Sequence, residues 1–381
     1  MGNVIIGLGN TGTSIVKLIA NTPSLSDVEL YAIDSVYANI SMNDINRIKY
    51  FSIVSDDKTG SGRSRERGEA LYKFHENQGD FKEMYETCKN AKSPVIVITS
   101  SAGGTGSGSC RAVCESIVKN NVQVLPVIVC PNKNDPDAYH LNTYDLLIDL
   151  GNIIKPDGTP GITGYSIFEN KCDGSNYEPV NKEIVEMIEI ILGKKYEYTD
   201  QMKTGVIRDT IDDSDLDSTL GMPGRMIVFS ATAPTKEALK QEIGRKLYSC
   251  YQPAYTSEDC SDRTVVTACS LKSMFADNDI DEISQFISEP FKTNYDRYKH
   301  VIKDNNNGLC TATVIIAGLA RSGVKEITAS YDDVSSISTG IQRSKRPGFV
   351  TSKKTMIRDD KKPASTGHIP NTKDKYVDWG E

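Results

Sequence analysis

The chain has 381 residues, 38% of them hydrophobic and 25% charged, with a formal net charge of −7. That is the composition of an ordinary globular chain long enough for two domains, and its acidic balance argues against broad nucleic-acid binding. No apolar run approaches the roughly 20 residues of a membrane span, so no membrane partner is expected and a cytoplasmic location is. The nine cysteines contain no Cys-x-x-Cys pair and the four histidines are dispersed, so reduced core thiols are expected and no residue is assigned to a metal.

Val4-Ile5-Ile6 reads as a first strand, and Gly7-Leu8-Gly9-Asn10-Thr11-Gly12 as a tight turn into a helix from Thr13 to Ala20. The turn matches the Gly-x-Gly-x-x-Gly dinucleotide fingerprint. Asp34 closes the next strand, Leu30 to Ile33, where a ribose-binding acid would sit. A nicotinamide-dependent oxidoreductase using NAD(P) is therefore one reading. Phe51 to Ser55 follows as a strand, then Thr59 to Gly68, in which small residues and three arginines precede a helix from Glu69. Such a loop can hold a terminal phosphate by backbone donors and guanidinium charge, or be a solvated basic surface.

Pro94 to Thr99 is a β-branched apolar run, the mark of a buried parallel strand. It leads into Ser100 to Ser109, rich in glycine. From Cys110 the apolar and small residues Cys110, Val113, Cys114, Ile117 and Val118 recur at helical spacing. A glycine loop joining a strand end to a helix start lets successive N–H groups face one concavity, an anion cradle whose expected occupant is phosphate. A dinucleotide fold has no role for this second loop. Val122 to Val129 is a further strand, followed by the turn-rich Cys130 to Asp137 and, later, a strand from Tyr165 to Phe168. A helix runs from Val180 to about Lys195, and the acidic stretch Val206 to Asp217 follows it as a loop. The remainder reads as a second α/β unit with strands Met226 to Ala231, Thr264 to Cys269 and Thr311 to Leu319, and helices Lys236 to Cys250 and Ile280 to His300. After Tyr331 one helix at most is expected, then disorder. From Ile341 on, ten Lys/Arg stand against five acids, so the tail is basic.

Ala102-Gly103-Gly104-Thr105-Gly106-Ser107-Gly108 resembles the phosphate-loop signature of the tubulin/FtsZ superfamily. It is not a Walker A loop, since no Gly-Lys-Ser/Thr follows. Other stretches match that superfamily in chain order. Gly9, Asn10, Thr11 and Gly12 take the place of its first glycine turn, with Asp34 beyond it. Gly60, Ser61 and Gly62 fall where its γ-phosphate-sensing loop lies. Asp135 or Asp137 falls at the ribose contact. Asn170 and Asn181 match the two asparagines that read the guanine edge, and Tyr177 the aromatic that stacks on the base. Thr210 to Leu216 resembles the acidic synergy loop, keeping Asp212 and Asp215 three apart, with Thr210 and Asp213 departing from its pattern.

The resemblance implies an α/β fold in which a Rossmann-like, parallel-sheet GTPase domain is joined by a central helix to a smaller α/β domain. The expected segments are 1–175 for GTP binding, 176–220 for the central helix and synergy loop, 221–330 for assembly, and 331–381 for a helix end and basic tail. It further implies GTP/GDP with Mg²⁺, hydrolysis completed by Asp212 and Asp215 of the next subunit, and head-to-tail filaments. The short second domain and basic tail look most like the divergent plasmid and phage tubulins, the TubZ type, which move or position DNA through an adaptor in a bacterial host cell. A nucleotide-binding adaptor without catalysis is the third reading.

Overall fold

The apolar runs of the N-terminal half all become strands of one sheet, because segments that are β-branched on both faces are buried only between two covering layers. The computed structural model describes residues 2–36, 47–54, 60–132, 135–162, 164–170, 177–193, 213–250, 265–273, 277–289, 295–303 and 309–319. All fall within one compact unit, Met1–Ile337. The strands are β1 (Asn3–Leu8), β2 (Glu29–Asp34), β3 (Ile48–Ser52), β4 (Lys92–Ser100), β5 (Val124–Cys130), β6 (Gly164–Glu169), β7 (Gly224–Ala233), β8 (Val265–Ser273), β9 (Tyr295–Lys303) and β10 (Cys310–Leu319). They form a single sheet in the order β3-β2-β1-β4-β5-β6-β7-β10-β8-β9.

The first six strands are parallel throughout. β7 continues that direction beside β6 through Gly164 opposite Gly224 and Tyr165 opposite Arg225. β10 then lies antiparallel between β7 and β8, and β9 is parallel to β8.

The helices are α1 (Gly9–Ala20), α2 (Arg65–His75), α3 (Gly79–Lys89), α4 (Gly104–Val118), α5 (Asp137–Gly151), α6 (Glu178–Ile191), α7 (Asp213–Leu220), α8 (Lys236–Cys250) and α9 (Asp277–Ser288). α1 and α6 share one face of the sheet, where Ile15, Ile19, Val180, Ile184 and Ile188 pack with Ile5, Ile96, Ile98 and Val127. α2 to α5 cover the other, where Tyr72, Phe81, Met84, Val113, Ile117 and Leu146 meet Val4, Ile6, Val95 and Val97. Alternate residues of β1 and β4 thus point into opposite cores, and each large apolar side chain so buried contributes about 1.5–3 kcal/mol. The C-terminal end of α1 is held by Arg47, whose guanidinium donates to the carbonyls of Ala20 (2.6 Å) and Leu25 (2.8 Å).

Several sequence expectations are corrected, among them the start of α2, which lies at Arg65 behind the Ser64 cap and not at Glu69. Tyr295 to His300 is not the end of a helix but the strand β9; α9 stops at Ser288, ahead of Pro290, and the following Tyr, Val and Ile residues suit a strand. Asp213 to Asp217 lies on α7 rather than in a loop. α5 occupies a stretch for which no element was expected, because its apolar stripe is short and interrupted by Asn142, Thr143 and Asp145. The expected tail helix and disorder lie outside the described residues. Among the described residues no helix is long and apolar enough to cross a membrane. The described cysteines 88, 110, 114, 130 and 310 are buried and unbridged, and burial pushes the Cys88 and Cys130 thiols up to about 12.

A charged clamp joins α8 to α9 over a small apolar core of Leu239, Ile243, Ile283 and Ile287. Lys236 reaches Asp279 (2.7 Å) and Glu282 (2.8 Å), and Lys240 reaches Glu282 (2.6 Å). The two lysines hold the Glu282 carboxyl down to about 2, against 4.5 for the free group. A depressed carboxylate stabilises the fold above its unfolded value and loses that contribution as pH falls toward its folded value. Glu282→Gln is therefore expected to lower the melting temperature at pH 7, by an amount that shrinks steadily as the pH is taken from 4.5 toward 2 and also shrinks in high salt. A difference in melting temperature that is the same at pH 7 and pH 2.5 contradicts the clamp.

Candidate functional site

β1 and β4 are hydrogen-bonded neighbours, with Ile6 opposite Val97 and Leu8 opposite Thr99, yet the helices that follow them leave to opposite faces. A crevice opens at the carboxyl ends of such a strand pair, the place where ligands bind in open α/β sheets. Here the two glycine turns touch. A Cβ added to Gly9 would lie 3.0 Å from the Gly106 nitrogen, and one added to Gly106 would lie 3.0 Å from the Leu8 carbonyl oxygen. Gly9 also has φ +68°, the left-handed region that glycine enters without cost. Leu8 and Gly103 stand at the N-caps of α1 and α4, neither helix has a side-chain cap, and neither has an acid in its first turn. Two adjacent helix N-termini thus bring unsatisfied N–H groups and partial positive charge to one crevice, and an anion is the complement.

The glycines of the second loop divide into two groups. A Cβ on Gly103 would meet nothing within 4 Å, so this residue borders open space. Gly104 and Gly108 are buried against α2. A Cβ on Gly104 would sit 2.7 Å from the Ser61 hydroxyl and the Ser64 carbonyl, one on Gly108 2.6 Å from the Glu69 nitrogen, and one on Gly68 would strike the Gly104 carbonyl. α4 accordingly begins at Gly104 and not at Cys110, a correction: these glycines serve close helix packing rather than loop freedom. Ser107, also buried, spends its hydroxyl on the Gly103 carbonyl within that first turn.

A buried cluster of hydroxyls ties the loops together. Thr105 Oγ1 lies 2.5 Å from Ser35 Oγ and 2.8 Å from Ser61 Oγ, and the Ser61 N–H donates to Ser35 Oγ at 3.1 Å. The end of β2, the segment before α2 and the first turn of α4 are thereby joined through three neutral groups. From α5, the Asn142 amide donates to the carbonyls of Ala102 (3.0 Å) and Arg63 (3.4 Å). Arg65 is ion-paired with Asp149 and mostly buried, and Arg111 shares the same carboxylate at 3.4 Å. Ser35 and Asn142 were not among the residues expected from sequence. Ser35 carries a signal, a small polar residue directly after an apolar strand; Asn142 carries none without α5.

Other expected residues fall as follows. Asn10 is exposed, Thr11 half-buried, and Gly12 packs against Gly7 and the Ile98 carbonyl. Asp34 is buried, and its carboxylate accepts the Val36 N–H at 3.2 Å. Gly60 abuts the Ser35 carbonyl, and Gly62 is exposed. The Asp135 carboxylate accepts the Asn132 N–H at 2.7 Å, while Asp137 opens α5. Asn170 continues β6, its N–H donating to Cys130 at 2.8 Å. β6 and β7 are parallel, so α6 between them starts on the carboxyl side of the sheet, with Tyr177 49% exposed and Asn181 half-buried in its first turn. Asp215 is half-buried on α7; Asp212 lies outside the described residues.

No protein-family model matches the sequence, and no curated protein sequence is significantly similar to it. Solved structures are similar in fold. CetZ1 from Haloferax volcanii, a GDP-bound monomer, superposes with a TM-score of 0.65 at 14% identity, covering 88% of this chain and 100% of that one. A GTPγS-form protofilament of TubZ from Bacillus thuringiensis serovar israelensis gives 0.64 at 15%, covering 88% and 93%. The chain has the tubulin/FtsZ fold. An FtsZ dimer from M. jannaschii gives 0.61 at 13%, covering 83% and 88%, so the likeness extends across the branches of the tubulin/FtsZ fold and does not single out one.

The division of glycines in this tubulin/FtsZ fold is testable by chemical denaturation. Gly68→Ala is expected to cost about 1–3 kcal/mol through overpacking at the α2–α4 contact. Gly103→Ala, facing open space with φ −79°, should cost less, up to about 1 kcal/mol, because alanine is the poorer N-cap of α4 but meets no neighbour. Equal effects of the two substitutions contradict the assignment.

Proposed function

We propose that the chain is a GTPase that assembles head to tail into filaments, nearest in kind to the TubZ type, and that it positions or segregates plasmid or phage DNA through an adaptor recruited by its basic tail. The observation that carries the reading is the crevice between β1 and β4. There the uncapped N-termini of α1 and α4 meet through Gly9 and Gly106, in a fold shared with a GDP-bound monomer and a GTPγS-form protofilament.

Each residue group has a part in that reading. The backbone N–H groups at Gly9 to Thr11 and at Gly103 to Gly106 hold the phosphates and offset their charge. Asn170 and Asn181 each present a donor and an acceptor to a guanine edge, and exposed Tyr177 offers a ring face to the base. Asp137 is the better placed of the two ribose candidates, since the Asp135 carboxylate already closes its own turn. Among the described residues no three His, Cys, Asp or Glu side chains converge as a metal site. Mg²⁺ would therefore be carried mainly by phosphate oxygens, adding charge neutralisation when bound.

Two of the described carboxylates of this half are engaged within the fold, Asp34 with the Val36 N–H and Asp149 with two arginines, and Asp137 is assigned to the ribose. A group that orients the attacking water is then best supplied by a neighbour. Asp215, with Asp212, would take that role from the next subunit, through a head-to-tail contact that does not close and so builds a filament. The oxidoreductase reading has one observation in its favour, the strand order β3-β2-β1-β4-β5-β6 of dinucleotide folds. It leaves the second uncapped helix without a role.

Specific GTPase activity is expected to rise steeply above a critical protein concentration, together with light scattering. Asp215→Ala should lower turnover about 10²-fold while leaving monomer GTP affinity and filaments intact, as loss of a water-orienting base requires. Activity per molecule that is flat with concentration excludes the shared site, and no GTP turnover at all favours the adaptor. In a separate binding measurement GTP should be preferred to ATP, and Asn181→Ala should reduce the preference by about 1–3 kcal/mol, the cost of an unpaired polar group. Equal ATP and GTP affinity in the parent protein removes the asparagine assignment.

A further inference from the structure

We propose that Asn142 of α5 is a positioning residue for the anion in the crevice: by holding the Ala102 carbonyl toward α5, it aims the Gly103 N–H at the phosphates. The proposal rests on the nucleotide-binding reading above and deepens it, naming the side chain that sets the polarity of the glycine loop.

The peptide between Ala102 and Gly103 precedes the first turn of α4, so no intrahelical hydrogen bond fixes its plane. With glycine on one side it turns over easily, since no Cβ restricts the rotation. The two orientations act oppositely on an anion. One presents an N–H, which attracts it, and the other a carbonyl oxygen, which repels it.

The groups on either side of this peptide are already committed. The Ser101 N–H donates to the Val129 carbonyl at 3.0 Å, and the Ala102 N–H to Ser100 Oγ at 3.3 Å. Gly103 carries the next N–H, and among the described residues nothing accepts it. On the other side of the peptide, Asn142 Nδ2 donates to the Ala102 carbonyl at 3.0 Å and to that of Arg63 at 3.4 Å. Both groups facing the amide are carbonyls, so its nitrogen and not its oxygen must face them. A trans peptide carries its C=O and N–H on opposite sides. With the Ala102 carbonyl drawn toward α5, the Gly103 N–H points away from α5, at a residue that borders open space. α5 is itself fixed at this spot by Thr143, whose hydroxyl donates to the Tyr139 carbonyl at 2.8 Å and meets Ser101 Oγ at 2.7 Å. Asn142 thus selects the attractive orientation, acting through the backbone.

The sequence allows a direct reading of that N–H. Only two Ala-Gly pairs occur, Ala102-Gly103 and Ala317-Gly318, so a full chain carrying ¹³C at alanine carbonyls and ¹⁵N at glycine gives two filtered amide signals. Gly318, in β10, is the internal control. Below the assembly concentration, GTPγS should move the Gly103 amide proton of the parent downfield and leave Gly318 in place, whereas guanosine, which has no phosphate, should move neither. Asn142→Leu should abolish the Gly103 shift and weaken GTPγS about tenfold or more, while changing guanosine affinity by no more than about twofold. Asn142→Gln, which keeps the amide, should recover part of both losses. A parent Gly103 signal that stays put at saturating GTPγS overturns the proposal whether or not any variant folds. So does a leucine variant that binds GTPγS as the parent does, or one that loses both ligands equally, the result of a merely loosened loop. A parent that binds neither ligand removes the nucleotide reading, and the proposal with it, before any variant is compared.

Discussion

The approach of Gly9 to Gly106 is the constraint on which the rest of the site depends. Two helices following adjacent parallel strands leave the sheet on opposite faces, and their first turns meet only if neither carries a side chain at the meeting point. The contact brings the dipoles of α1 and α4 together at one spot, a repulsive arrangement unless something negative lies between them. The fold accepts that electrostatic cost and supports it from below with apolar residues on both faces of β1 and β4.

The sheet was legible because its signal is local. A β-branched run buried on both faces has few alternatives, and the six parallel strands were anticipated to within a few residues. The glycine loop was also legible, but its internal division was not. Gly103, Gly104, Gly106 and Gly108 are the same letter in sequence, while in space Gly103 borders the crevice, Gly106 abuts β1 and the other two abut α2. Which glycine serves a ligand and which a helix contact depends on where α2 packs, a tertiary fact.

The same reason accounts for the misses. α5 carries polar residues on its stripe because Asn142 and Thr143 bond inward, to Ala102 and Ser101, rather than facing solvent. A helix that supports a site looks, in one dimension, like a loop. β9 was misread because Pro290 separates a helix from a strand of similar polarity, and the pairing with β8 that decides its conformation lies about 30 residues away in sequence. Ser35 was passed over beside Asp34, whose charge drew the functional reading although its carboxylate closes a local turn.

The groups that lock the loops around the crevice are hydroxyls and amides: Ser35, Ser61 and Thr105 on one side, Asn142, Ser101 and Thr143 on the other. None of these changes charge across the range in which proteins stay folded. That part of the frame keeps its shape in acid and alkaline surroundings alike. Whatever proton dependence the site displays then originates elsewhere, in the carboxylates that close the neighbouring turns and ion pairs, Asp34, Asp135 and Asp149, and in what enters it, the ligand's own phosphates and any carboxylate brought by a neighbouring molecule.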